Sequence, residues 1–209
     1  MATPDRGVCV VACGALAAEL VALKAKHHLT DLTIECLPAT LHNRPERIAD
    51  AVAAKVTEVS ERFERVLVGY ADCGTGGRLD RVCAELGVER IEGAHCYEFF
   101  AGADQFAELS ADEPGTFYLT DYLVRQFDTI VWKGLGLDRH PQLRDTYFGN
   151  YTTLMYLAQT EDEALEAAAR KAAERLGLAY AHRFTGLGRL TTVLEGAAPH
   201  GQPDHRLLA

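Results

Sequence analysis

The sequence predicts an α/β protein: a mostly parallel sheet covered by helices on both faces, in a Rossmann-like three-layer arrangement. Three observations carry that expectation. Apolar runs of strand length alternate with segments of helical periodicity from the first residues onward. The run Val66–Tyr70 is nearly all apolar, as a strand buried on both faces is. Glycines and an Asn-Arg-Pro sequence fall where the pattern switches from one period to the other.

Val8–Ala12 reads as the first strand, followed by a helix over Ala15–His27 with Leu16, Leu20 and Leu23 on one face. Leu32–Cys36 is the second strand. The next helix starts near Asn43 and Pro45 and carries Ile48, Val52, Val56, Val59 and Phe63 at steps of four and three. Val66–Tyr70 is the third strand, Gly77–Leu86 a helix stopped by Gly87, and Val88–Ile91 a short fourth strand. Beyond residue 93 the signals are weaker. His95–Gly102 reads as a short aromatic helix or turn, Pro114–Gly115 as a turn, Thr116–Leu119 as a strand, and Asp121–Ile130 as a helix capped by Asp121. Pro141–Tyr147 is a short helix, and Tyr151–Leu157 fits strand or helix. Glu161–Leu176 is the clearest helix, closed by Gly177. Residues 1–195 are expected to form a single domain and 196–209 a loose tail.

The chain has 209 residues, of which 48% are hydrophobic and 24% charged, enough to build a sizeable core. A net charge of -9 argues against nucleic acid and against an anionic membrane surface as partners. No apolar run approaches a spanning helix, and the N-terminus has no secretory pattern, so a cytoplasmic location is expected. In that reducing compartment the six cysteines are thiols or metal ligands rather than disulfides.

Functional groups of such sheets gather beyond the carboxyl ends of the strands. With strand order 2-1-3-4, Cys13, Cys73 and Cys96 follow three neighbouring strands and reach one rim. Thiolates suit zinc or an iron–sulfur cluster, and three protein ligands leave a position open for a small-molecule substrate. His95, adjacent to Cys96, and His42, after the second strand, can complete the set. Cys9, Cys36 and Cys83 read as small core residues, and a structural role for all six remains the bland alternative. The turn Gly74-Thr75-Gly76-Gly77 joins a buried strand to a helix, so its N–H groups can receive a carboxylate or a single phosphate of a bound molecule.

The segments Ala12-Cys13-Gly14, Leu41-His42-Asn43-Arg44-Pro45, Gly69-Tyr70-Ala71-Asp72-Cys73-Gly74, Ala94-His95-Cys96 and Pro114-Gly115-Thr116 occur in an order that resembles the DUF1638 family of uncharacterised prokaryotic proteins. Two departures stand out: Ala71-Asp72 where relatives have a further glycine after the tyrosine, and the direct adjacency of His95 and Cys96. The resemblance implies a companion of corrinoid-dependent methyl-transfer systems. Two roles follow as expectations. One is a metal-dependent enzyme of transferase or lyase type, in which zinc or an iron–sulfur cluster serves one-carbon chemistry. The other is a non-catalytic accessory that binds a corrinoid or methyltransferase protein.

Overall fold

The computed structural model describes residues 5–112 and 115–197. The chain forms two compact units, each with its own parallel sheet. One comprises residues 1–96 and 189–209, the other 97–188. The expected turn at Pro114 and most of the expected tail lie outside the described residues.

The first unit opens with β1 (Asp5–Cys13), α1 (Ala17–Lys26), β2 (Leu32–Leu37), α2 (Ile48–Ser60), β3 (Phe63–Gly69), α3 (Arg78–Leu86) and β4 (Glu89–Arg90). All pairings are parallel and the order is β2-β1-β3-β4, the commonest for such a start but not one the sequence pattern reveals. Central β1 is sealed on both faces, with Cys9, Val10, Val11 and Ala12 at zero exposure. Each large apolar side chain buried this way contributes about 1.5–3 kcal/mol. In α2, Ile48, Val52, Val56 and Val59 are buried at the predicted spacing, but Phe63 starts β3 instead of extending the helix. Helix α3 ends at Gly87 (φ 64°), where Val88 N–H reaches back to the Cys83 carbonyl at 3.0 Å.

The second unit holds α4 (Tyr97–Ala101), α5 (Ala103–Asp112), β5 (Thr116–Thr120), α6 (Asp121–Arg125), α7 (Leu143–Phe148), β6 (Thr153–Ala158), α8 (Glu163–Leu176) and β7 (Ala179–Phe184). Its sheet is parallel in the order β5-β6-β7. Leu119, Leu154 and Tyr156 pack with Val124 of α6 and Leu165, Ala169 and Ala172 of α8. Tyr118 and Leu157 pack with Ala101 and Phe106. Helix α8 is capped by Asp162, which accepts from the N–H groups of Ala164 and Leu165 at 2.9 and 3.2 Å. The expected helix over 121–130 is broken: after α6 the chain makes a π-turn over Phe127–Trp132. Its cap is Thr120, which accepts from Leu123 N–H, and Asp121 is buried instead. Strand β7 gives no signal in the sequence because it is a half-exposed edge strand without an apolar run.

The chain then returns to the first unit as α9 (Arg189–Ala197), which packs on α1 through His27 Nδ1 and Glu195 at 2.7 Å. Among the described residues no helix is long and apolar enough to cross a membrane.

Candidate functional site

The carboxyl end of the first sheet is where sequence and structure converge. Cys13 is the last residue of β1 and caps the 3-10 turn that leads into α1, its Sγ accepting from Ala15 N–H at 3.3 Å. The next residue, Gly14, passes so close to the exit of β2 that a Cβ there would lie 2.8 Å from the Leu37 carbonyl oxygen. That approach brings the 3-10 turn Ala39–Asn43 over the rim. His42 Nδ1 then stands 3.5 Å from Cys13 Sγ and 3.3 Å from the Ala39 carbonyl oxygen. In one tautomer Nδ1–H donates to Ala39; in the other the bare nitrogen accepts the Cys13 thiol proton.

Tyr70 is the next element of the rim. Ala12 pairs with Gly69, so Cys13 and Tyr70 each follow by one residue on neighbouring strands. Tyr70 is buried, and its hydroxyl interacts with the Cys13 sulfur. Sequence reasoning missed it, because it reads as the last residue of an apolar strand.

Cys73 lies on the loop after β3, with a left-handed backbone (φ 50°) that costs a non-glycine residue about 1–2 kcal/mol. The loop is fixed from outside. Asp72 and Cys73 N–H groups donate to the carbonyls of Gly93 and Ala94, both at 2.9 Å, so the loops after β3 and β4 run hydrogen-bonded together. The N–H groups of Cys96 and Ala71 point at the Cys73 sulfur. Cys96 is therefore beside Cys73, while His95 is exposed on the same loop.

The electrostatics describe a neutral site. Burial pushes the Cys13 thiol up to about 12, against the Ala15 N–H that lowers it. Burial likewise raises Cys73 to about 11, opposed by the N–H groups of Cys96 and Ala71. His42 is lowered by burial and by His95, so the imidazole is uncharged near neutrality. These are not the activated thiolates of a cysteine nucleophile.

Among the described residues no three His, Cys, Asp or Glu side chains stand together at the spacing of a common metal ion. The expected trio of Cys13, Cys73 and Cys96 shares one rim but does not converge, because Cys13 points to His42 and Cys73 to backbone N–H groups. The glycine turn is engaged from within the chain. The N–H groups of Gly76 and Gly77 donate to the Asp72 carboxylate at 3.1 and 2.9 Å, and the Thr75 hydroxyl donates to it as well. The carboxylate that Thr75, Gly76 and Gly77 hold belongs to the chain itself. Asp72, four and five residues before the glycines it engages, was the sequence signal for this.

The other cysteines divide differently from expectation. Cys9 and Cys83 are core residues, but Cys36 is exposed. It pairs with Ala12 and so alternates away from the row of Cys13 and Leu37.

The family model described as "Protein of unknown function (DUF1638)" matches residues 36–194. No curated protein matches the chain.

Proposed function

The chain belongs to the DUF1638 family, and from that premise we propose that the rim of its first sheet binds a soft metal ion and, next to it, a small-molecule substrate. One observation carries the reading: the 3.5 Å between Cys13 Sγ and His42 Nδ1. Two ligands of one tetrahedral zinc, at about 2.3 Å for sulfur and about 2.0 Å for nitrogen, stand about 3.5 Å apart. The lone pairs that share a proton in the neutral site are spaced to share an ion instead. Cys73, Cys96 and His95 lie on the adjoining loops of the same rim and would have to turn toward this pair to add donors. A mixed sulfur and imidazole set favours zinc over an iron–sulfur cluster, which takes converging thiolates. Zinc, when bound, supplies Lewis acidity and activates a thiol substrate, chemistry that serves the corrinoid-linked methyl transfer implied by the family resemblance.

The protein's part is to bury the donors and fix their direction. Ala39 and Ala15 orient the imidazole and the Cys13 sulfur, and the paired loops hold Cys73 in its strained conformation.

Elemental analysis of protein purified without oxygen tests the reading. The expected result is about one zinc per chain, lost from Cys13→Ser and His42→Ala while both remain folded. Wild-type protein without metal, and without a sulfur-to-cobalt charge-transfer band after cobalt(II) addition, overturns it. A broad visible absorption bleached by air would replace zinc with an iron–sulfur cluster.

A further inference from the structure

We propose that Cys73 and Cys96 are a redox-active pair whose thiols join in a reversible disulfide between the loops after β3 and β4. The pair lies in the first unit and needs no cation, so it stands apart from the soft-metal reading carried by Cys13 and His42.

The backbone sets the pair up. Asp72 and Cys73 N–H groups donate to the Gly93 and Ala94 carbonyls, both at 2.9 Å, which clamps the two loops in register. The Cys96 N–H then reaches the Cys73 sulfur. A disulfide spans Cα atoms about 4.4–6.8 Å apart. A sulfur that already meets its partner's N–H has crossed most of that gap, and rotation of the Cys96 side chain between its staggered positions supplies the rest.

Accessibility and strain single out the same two residues. Cys73 and Cys96 are half-buried, which leaves each open to a small solute, whereas Cys9, Cys13 and Cys83 are buried. Cys36 is exposed, but it lies on β2, two strands from β3, and neighbouring strands are about 4.8 Å apart. Cys73 also holds φ 50° next to Gly74 at φ 83°, a conformation that glycine adopts without penalty. The side chain that carries this strain is a sulfur held at the N–H of a second cysteine.

The reaction is thiol–disulfide exchange, with a small-molecule disulfide as the oxidant. One thiol of the pair gives its proton to water, and the thiolate attacks a sulfur of the oxidant. The oxidant's S–S bond breaks and releases one small thiolate. The second protein thiolate attacks the mixed disulfide at the protein sulfur, closing the Cys73–Cys96 bond and releasing a second small thiolate. Two protein thiols are thus oxidised by two electrons, the oxidant is reduced to two thiols, and the released thiolates take up the two protons.

The test uses the full chain, stripped of metal by a chelator, equilibrated with glutathione disulfide and mapped by mass spectrometry without reduction. The expected result is a peptide pair joining Cys73 to Cys96, reversed by dithiothreitol, with glutathione added on exposed Cys36. In Cys73→Ser and Cys96→Ser the crosslink is absent and the remaining cysteine of the pair carries glutathione. In Cys36→Ser the crosslink forms as in wild type. Free thiols or glutathione adducts at Cys73 and Cys96 of the wild-type chain in place of the crosslink overturn the inference. So does a crosslink to another cysteine, or one that forms only in urea. Zinc content is measured on untreated protein, so the metal site and the disulfide stand or fall separately.

Discussion

The two sheets are built alike, from parallel strands with helices between them, yet their carboxyl ends are finished in opposite ways. In the second unit the rim is oxygen chemistry gathered on one buried carboxylate. Asp121, at zero exposure, accepts from the Tyr156 hydroxyl at 2.7 Å, from Gln159 N–H at 2.9 Å and from the Thr160 hydroxyl. Its own N–H donates to the Gln159 side chain at 2.8 Å, and Arg125 lies 3.7 Å away. Burial and Asp121 together keep the Tyr156 hydroxyl protonated. In the first unit the rim is sulfur chemistry: neutral buried thiols, the Tyr70 hydroxyl against Cys13, and Cys73 in a strained conformation. A satisfied network is what structure asks of a polar rim. A strained one persists where something else is selected.

The sharpest way to break this contrast is to cut the satisfied network. Asp121→Ala leaves the Tyr156 and Thr160 hydroxyls and the Gln159 N–H without their shared acceptor. The expected loss is about 3–5 kcal/mol of unfolding free energy, measured by denaturant titration. No rim substitution in the first unit is expected to cost as much.

A second test concerns the one carboxylate network described on the sulfur rim, that of Asp72. Asp72→Ala removes the acceptor that holds the glycine turn, at about 1–3 kcal/mol. The Thr75 hydroxyl first, then the Gly77 and Gly76 N–H groups, lower the Asp72 pKa in the folded chain. A depressed folded pKa means that its stabilisation is present above the unfolded value near 3.9 and is lost as pH falls below it. The gap between wild-type and Asp72→Ala midpoints is therefore expected to be full at neutral pH and to shrink below about pH 4. A gap that is constant with pH removes the carboxylate from the account.

Cys73→Gly sharpens the comparison from the other side. Glycine adopts φ 50° without penalty, so the variant is expected to be more stable by up to about 1 kcal/mol, while losing bound metal. Loss of stability instead would show that the sulfur's contacts with the Ala71 and Cys96 N–H groups outweigh the strain.

How far the sequence reveals each rim follows from the kind of signal involved. The placement of Cys13, Cys73 and Cys96 beyond strand ends follows from βαβ alternation, which is a local pattern, whereas the order β2-β1-β3-β4 depends on long-range pairing that alternation does not encode. Direction is not local. That Cys13 meets His42 depends on Gly14 letting two strand exits touch, and that Gly76 and Gly77 face Asp72 depends on consecutive positive φ angles. The second sheet was hard to see for a physical reason: β7 is an exposed edge with Tyr180 and Phe184 separated by Ala181, His182 and Arg183. Tyr70 was hidden by its own burial, since an aromatic ending an apolar strand looks like core.

The smallest expected effect decides how the cysteines are sorted. Cys9 and Cys36 both sit in strands of the first sheet, and by sequence both look like small buried residues. Cys9 is at zero exposure in central β1, whereas Cys36 is exposed near the end of edge strand β2. Serine in place of Cys9 puts a hydroxyl into apolar surroundings and is expected to cost about 1–3 kcal/mol. Cys36→Ser meets water and is expected to stay within about 0.5 kcal/mol of wild type. It should also retain full metal content, because its side chain alternates away from the row of Cys13 and Leu37. The check is paired: unfolding midpoints of the two serine variants, and the order in which a small alkylating reagent labels the folded chain, with Cys36 first and Cys9 last. A Cys36→Ser variant that empties the site would bring a fourth sulfur to the rim and make the sulfur face wider than Cys13, Cys73 and Cys96.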